Sequence, residues 1–221
     1  SLTRSASWRF WVCSSRSRAK AFSRAKPDAK FHILVIGDST AVGTGAEDPS
    51  LSIAGRLGAD FPEAEIVNLG VNGARTKELL PRLAALKGRR FELILIQVGA
   101  NDIVHGTNLT KLEGDIARVM DAAARLGKRV LLLTSGNVGT AHALPIGTRW
   151  FFTRRTRQVR ELFMRIAKEK DVRYVDLFRE PDKDPFALDP MRYYAADWYH
   201  PSGEGYRDWY DHIKAELGSR T

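Results

Sequence analysis

The chain has 221 residues, 43% of them hydrophobic and 28% charged, with a formal net charge of +9. That length suits one domain with a full core, and no apolar run reaches the roughly 18 residues of a membrane-spanning helix. Cys13 is the one cysteine, which excludes an intramolecular disulfide and a thiolate metal cage.

The charge is unevenly spread. Residues 1–30 hold eight basic side chains against Asp28 alone, a net +7, and the remaining 191 residues carry only +2. A nucleic-acid enzyme would spread a basic stripe over its folded surface, so no nucleic-acid partner is expected. The segment "SLTRSASWRFWVCSSRSRAKAFSRAKPDAK" opens on Ser rather than Met, which reads as a trimmed end. Two readings of residues 1–30 stand side by side. One is a basic arm packed on the domain. The other is a juxtamembrane segment whose Trp, Phe and Arg side chains meet anionic lipid, giving peripheral membrane contact. Compartment stays open between cytoplasmic and periplasmic or membrane-associated.

From residue 31 the pattern alternates. "FHILVIG" (31–37) predicts a buried strand, "LSIAGRLGADF" (51–61) a short helix, and "AEIVNLG" (64–70) a second strand. "TKELLPRLAALKG" (76–88) predicts a helix interrupted by Pro81. "FELILIQ" (91–97) is apolar on both faces and predicts a central strand. In 110–127 Leu112, Ile116, Val119, Met120 and Ala123 recur at helical spacing, Thr110 with Glu113 makes a capping box, and Gly127 ends the helix. "RVLLLT" (129–134) predicts the fourth strand, 151–169 a helix, "VRYVDLF" (172–178) the fifth strand, and the residues after Pro201 a last helix. Strands apolar throughout, alternating with helices, belong to a parallel sheet covered on both faces. The expected architecture is a three-layer α/β/α, doubly wound domain over 31–221. Its ligands belong beyond the carboxyl ends of the strands, at a topological switch point.

Polar residues collect at that edge. Gly37-Asp38-Ser39 follows the first strand, and Asn68, Gly70, Asn72 and Gly73 follow the second. Gly99, Asn101 and Asp102 follow the third, and Asp197 and His200 precede the last helix. Taken singly, each has an ordinary explanation: Ser39 caps a helix, the Asn and Gly residues make turns, and His200 is held extended by Pro201. Taken together, they supply what acyl transfer by a serine needs. It requires a base to take the hydroxyl proton, a carboxylate to fix the base, and donors aimed at the oxyanion. No Gly-x-Ser-x-Gly occurs, which argues against a nucleophile-elbow hydrolase.

Gly37-Asp38-Ser39, Gly73, the Gly-x-Asn-Asp of 99–102 and Asp197-x-x-His200 resemble the four motif blocks of the GDSL, or SGNH, hydrolases, in order and spacing, over roughly residues 31–217. Thr40 stands where that family often has Leu. The resemblance implies a flavodoxin-like SGNH hydrolase fold with a five-stranded sheet, and a serine esterase or lipase-like acyl hydrolase without cofactor. It implies Ser39 as nucleophile, His200 as general base and Asp197 as its orienting carboxylate. Ser39 N–H, Gly73 N–H and the Asn101 side chain are implied as the oxyanion hole. Asp38 and Asp102 then bond neighbouring loop N–H groups. The family acts on lipid esters, thioesters, aryl esters and acetylated sugars, so a carbohydrate O-deacetylase or a thioesterase on the same site remains open.

A reading of another class is a flavodoxin-like flavin or phosphate binder, because "STAVGTG" is rich in N–H groups able to cradle phosphate. It leaves Asn101, Asp197 and His200 without a role. No metal is expected, because the five histidines show no ligand spacing. His105 reads either as a substrate contact or as a solvated loop residue. Within 135–157, Leu144, Pro145, Trp150, Phe151 and Phe152 read either as walls of an acyl pocket or as core. Arg154, Arg155 and Arg157 read either as an anionic-substrate site or as solvated charge.

Overall fold

A computed structural model describes residues 19–218. Among the described residues five strands form one sheet: β1 (His32–Gly37), β2 (Glu65–Gly70), β3 (Phe91–Gln97), β4 (Gly127–Leu133) and β5 (Arg173–Val175). All neighbours pair in parallel, in the order β2-β1-β3-β4-β5. Ile33, Leu34, Val35 and Ile36 of β1 are all fully buried, as are Ile94, Leu95 and Ile96 of β3. Burial on both faces is what the unbroken apolar runs require.

The helices are α1 (Ser39–Val42), α2 (Ile53–Asp60), α3 (Leu79–Ala84), α4 (Ala100–Val104), α5 (Leu109–Ala124), α6 (Arg149–Glu169), α7 (Pro185–Leu188), α8 (Pro190–Tyr193) and α9 (Gly203–Gly218). α5 buries Leu112, Ile116, Val119, Met120 and Ala123, the stripe read from sequence. α9 buries Tyr206, Trp209, Tyr210 and Ile213. This is the three-layer α/β/α architecture expected from the alternating strands and helices.

Several boundaries moved. α5 starts at Leu109 and its cap is Asn108, whose side chain accepts from Lys111 N–H at 3.1 Å, so Thr110 and Glu113 form no capping box. Asn108 is the better-placed acceptor because it stands one residue before the first helical turn. Gly127 does not end α5; it opens β4, opposite Phe91 of β3. Pro81 does not interrupt α3, because it lies in the first turn, where its missing N–H costs nothing. β5 is only three residues long. Beyond it Asp176 turns away to accept from Arg160 and from Phe178 N–H.

The arm before β1 is described from residue 19 onward; the "WRFWV" stretch lies outside the described residues. Arg24 pairs antiparallel with Ile66 through two 2.9 Å backbone bonds. Its guanidinium donates to the carbonyls of Gly58 (2.9 Å), Ala64 (3.0 Å) and Phe61. Phe22 packs on Gly58. This short bridge covers part of the outer edge of β2, which would otherwise present unpaired backbone groups.

The register matters for the site. Gly37 pairs with Gly70 on one side and Gln97 on the other, so the ends of β1, β2 and β3 are level. The chain moves outward from β1 to β2 and then back across to β3, which makes the β1/β3 boundary the switch point. At residue 37 a Cβ would sit 1.8 Å from Gln97 O, so only glycine permits that close approach.

Candidate active site

Ser39 opens α1 directly after β1. Asp38 caps this single turn, its Oδ1 accepting from Thr40 N–H (2.9 Å) and the Thr40 hydroxyl (2.8 Å). Ser39 is 6% exposed. Its Oγ lies 3.0 Å from His200 Nε2, across 161 residues of sequence. His200 Nδ1 lies 2.6 Å from Asp197 Oδ2. Asp197 Oδ1 accepts from the N–H groups of Tyr199 (3.0 Å) and His200 (2.9 Å). The 197–200 segment curls tightly enough for both contacts because Trp198 takes a left-handed conformation (φ 57°). Burial works to raise the Asp197 carboxyl, but the His200 bond, the His200 charge and the two backbone N–H groups outweigh it and hold it below its ordinary value. Asp197 therefore stays ionised beside the imidazole.

The segments after β2 and β3 are tied to this turn. Asn68 Nδ2 donates to Ala41 O (2.8 Å), and the Thr44 hydroxyl donates to Asn72 (2.7 Å), fastening the 68–76 segment to α1. Gly73 lies in that segment at φ +78°, a left-handed position that favours glycine. Asn101 Nδ2 donates to Ala74 O at 3.1 Å, which ties α4 to the residue after Gly73. Asp102 accepts from Thr76 N–H (2.9 Å), the Thr76 hydroxyl (2.8 Å) and the Thr107 hydroxyl (2.9 Å), joining α4 to the same segment. Asp38 and Asp102 thus make the loop bonds expected of them.

The sequence profile of the GDSL-like lipase/acylhydrolase family matches residues 35–207. The chain belongs to that family. It is an ester-hydrolysing enzyme of the GDSL type. Solved structures of the same fold include a member of the lipolytic G-D-S-L family from Veillonella parvula, with 19% identity, a TM-score of 0.68, and coverage of 86% of this chain and 100% of that one. An acetylxylan esterase from Geobacillus stearothermophilus gives 20% identity and a TM-score of 0.64, covering 88% and 97%. The esterase EstA from Pseudoalteromonas gives 16% identity and a TM-score of 0.63, covering 84% and 96%. No curated protein sequence matches significantly.

Beside Ser39 and His200 lies a narrow cleft, partly open to solvent. Its walls differ from the sequence expectation. They come from Ser135–Ala141 after β4, from Asp184 and Phe186, and from Tyr194, Tyr199 and Trp209. Leu144 and Phe152 are core instead (5% and 4% exposed). Trp150 and Phe151 stand exposed at the start of α6, and Trp150 lines a neighbouring cavity with His142 and Arg149. His105 is an exposed residue ending α4 and does not line the cleft. Arg157 is paired with Glu180, Arg155 donates to Thr107 O, and neither they nor Arg154 line the cleft. Sequence reasoning missed Asp184 and Ser135. The one available signal was Asp184-Pro185, a helix-start pair.

Proposed function

We propose that this GDSL enzyme cleaves carboxylic esters through Ser39, His200 and Asp197 with an acyl-enzyme intermediate. Ser39 Oγ attacks the ester carbonyl while His200 Nε2 takes its proton. Asp197 keeps the proton on Nδ1, so that Nε2 faces Ser39 as an acceptor, and stabilises the imidazolium that forms. The oxyanion is held by Ser39 N–H, Gly73 N–H and the Asn101 amide. His200 then protonates the departing alcohol. Water repeats the sequence on the acyl-enzyme, with His200 again as base, and frees Ser39.

The observation that carries this reading is the continuous relay from Ser39 Oγ through His200 to Asp197, with contacts of 3.0 Å and 2.6 Å. It is supported by the position of Ser39 at the switch point of a doubly wound sheet. The test is fluorophosphonate labelling together with a chain-length series of p-nitrophenyl esters, on wild type and Ser39→Ala. Labelling at Ser39 and loss of hydrolysis in the variant are expected. Unchanged hydrolysis in Ser39→Ala refutes the mechanism. A preference for acetyl over octanoyl esters favours the carbohydrate-deacetylase alternative over a lipase.

A further inference from the structure

The cleft beside Ser39 carries a polar inner wall that the hydrolytic steps leave unused. The Ser135 and Tyr199 hydroxyls are buried, have no hydrogen-bond partner among the described residues, and belong to residues that line the cleft. Asp184 lines it too and is 3% exposed. Its Oδ1 accepts from Phe186 N–H at 3.0 Å. Its Oδ2 faces the Thr140 hydroxyl at 3.5 Å. That hydroxyl has one hydrogen, and Asn137 O takes it at 2.7 Å. Tyr194 OH, 2.8 Å from Thr140 Oγ1, then donates to Thr140 rather than to Asp184. Oδ2 is left as an acceptor with no good donor. Burial pushes the Asp184 carboxyl up to about 6, against the Phe186 N–H, the Arg179 charge and the Thr140 hydroxyl.

An alkyl chain in this cleft would bury a carboxyl and two hydroxyls against methylene groups. Buried polar groups with nothing to bond are costly. Val138, Ala141, Phe186 and Trp209 supply an apolar frame, as small-ligand sites do, around a few placed polar atoms. A hydroxyl both donates and accepts, which matches a wall made of one acceptor and two hydroxyls. Resting on the serine-hydrolase reading above, we propose that the cleft is a subsite for a short hydroxylated group of the ester. A substrate hydroxyl donates to Asp184 Oδ2, and Ser135 or Tyr199 donates to a substrate oxygen. Asp184 is thus a specificity residue, outside the relay that cleaves the bond. The group belongs either to the acyl half, as a hydroxyacyl ester, or to the alcohol half, as a polyol or sugar ester. Both present the same chemistry to the cleft.

The experiment compares matched esters on the full chain, each rate divided by that ester's spontaneous hydrolysis. In the acyl arm, p-nitrophenyl acetate is set against the glycolate, and the butyrate against the 3-hydroxybutyrate. In the alcohol arm, propyl acetate is set against glycerol monoacetate, with acetate release as the readout. The hydroxylated ester is expected to have kcat/KM about tenfold higher or more in one arm, the size set by pairing a buried acceptor. The arm that responds identifies the half of the ester that enters the cleft. Asp184→Asn keeps an oxygen for Phe186 N–H, and Ser135→Ala removes a hydroxyl that has no partner among the described residues, so both variants are expected to fold. Each is expected to shrink the hydroxyl preference several-fold, mainly through KM. Equal rates within each pair in both arms, or a preference untouched by both variants, overturns the subsite. Hydrolysis surviving in Ser39→Ala instead overturns the serine mechanism, whatever the preference. Wild-type labelling at Ser39 without any hydroxyl preference overturns the subsite alone.

Discussion

Replacing Asp38 by Asn is expected to stabilise the protein at neutral pH and to change little at pH 4. Asp38 is 1% exposed, and burial raises its carboxyl from 3.8 to about 6, against the pull of its two Thr40 bonds and the His200 charge. The folded state therefore holds this proton more tightly than the unfolded chain does. The associated stability is fully present below about 3.8 and is lost as pH rises through about 6. The gap corresponds to roughly 3 kcal/mol at 1.36 kcal/mol per pKa unit. Asn keeps the oxygen that accepts both Thr40 bonds and removes the buried charge. The new NH₂ group offsets part of the gain, so up to about 3 kcal/mol is expected at pH 7.5 and near zero at pH 4. For a protein of this size that corresponds to a rise in Tm of up to about 6–12 °C at the higher pH. Urea unfolding of both proteins at the two pH values measures it. A variant less stable than wild type by the same amount at both pH values would refute the reasoning. It would mean that the ionised carboxylate is favoured where it sits.

Asn101→Ala is expected to lower kcat on the order of 100-fold or more with a small change in KM, because the donor acts on the oxyanion and not on the ground-state ester; steady-state kinetics on p-nitrophenyl acetate reads it. Asp197→Asn is expected to cost on the order of 10³- to 10⁴-fold in kcat, through the wrong imidazole tautomer, while circular dichroism stays unchanged; a tenfold or smaller loss would remove Asp197 from the relay. Arg24→Ala is expected to destabilise the fold by about 2 kcal/mol, because its guanidinium holds three carbonyls around the end of α2. Arg24→Lys should recover only part of that, since an ammonium cannot reproduce the planar fork; thermal denaturation checks both.

The sequence alone was enough for the layers and for the segments that carry Ser39, Asp197 and His200. Each strand read from an unbroken apolar run is present, because burial on both faces leaves no other composition for a parallel strand. Asp38, Asp197 and His200 were legible because they follow a strand end or precede a helix, and the motif spacing ties each to its segment. Helix ends were less legible. Asn108 rather than Thr110 caps α5, since a cap depends on which N–H groups are left open, and the apolar stripe is silent about that. What only the tertiary structure decided is the lining of the cleft beside Ser39. Trp150 and Phe151 are aromatic and lie in the long segment after β4, yet they point outward. Its walls come instead from Ser135, Asp184 and Tyr194, up to 59 residues apart in sequence and without a shared motif. Motif spacing records local turns, which the backbone fixes within a few residues. A cavity is the space left when distant segments pack, so its lining is set by how the segment after β4 and the α7–α8 region meet over the sheet.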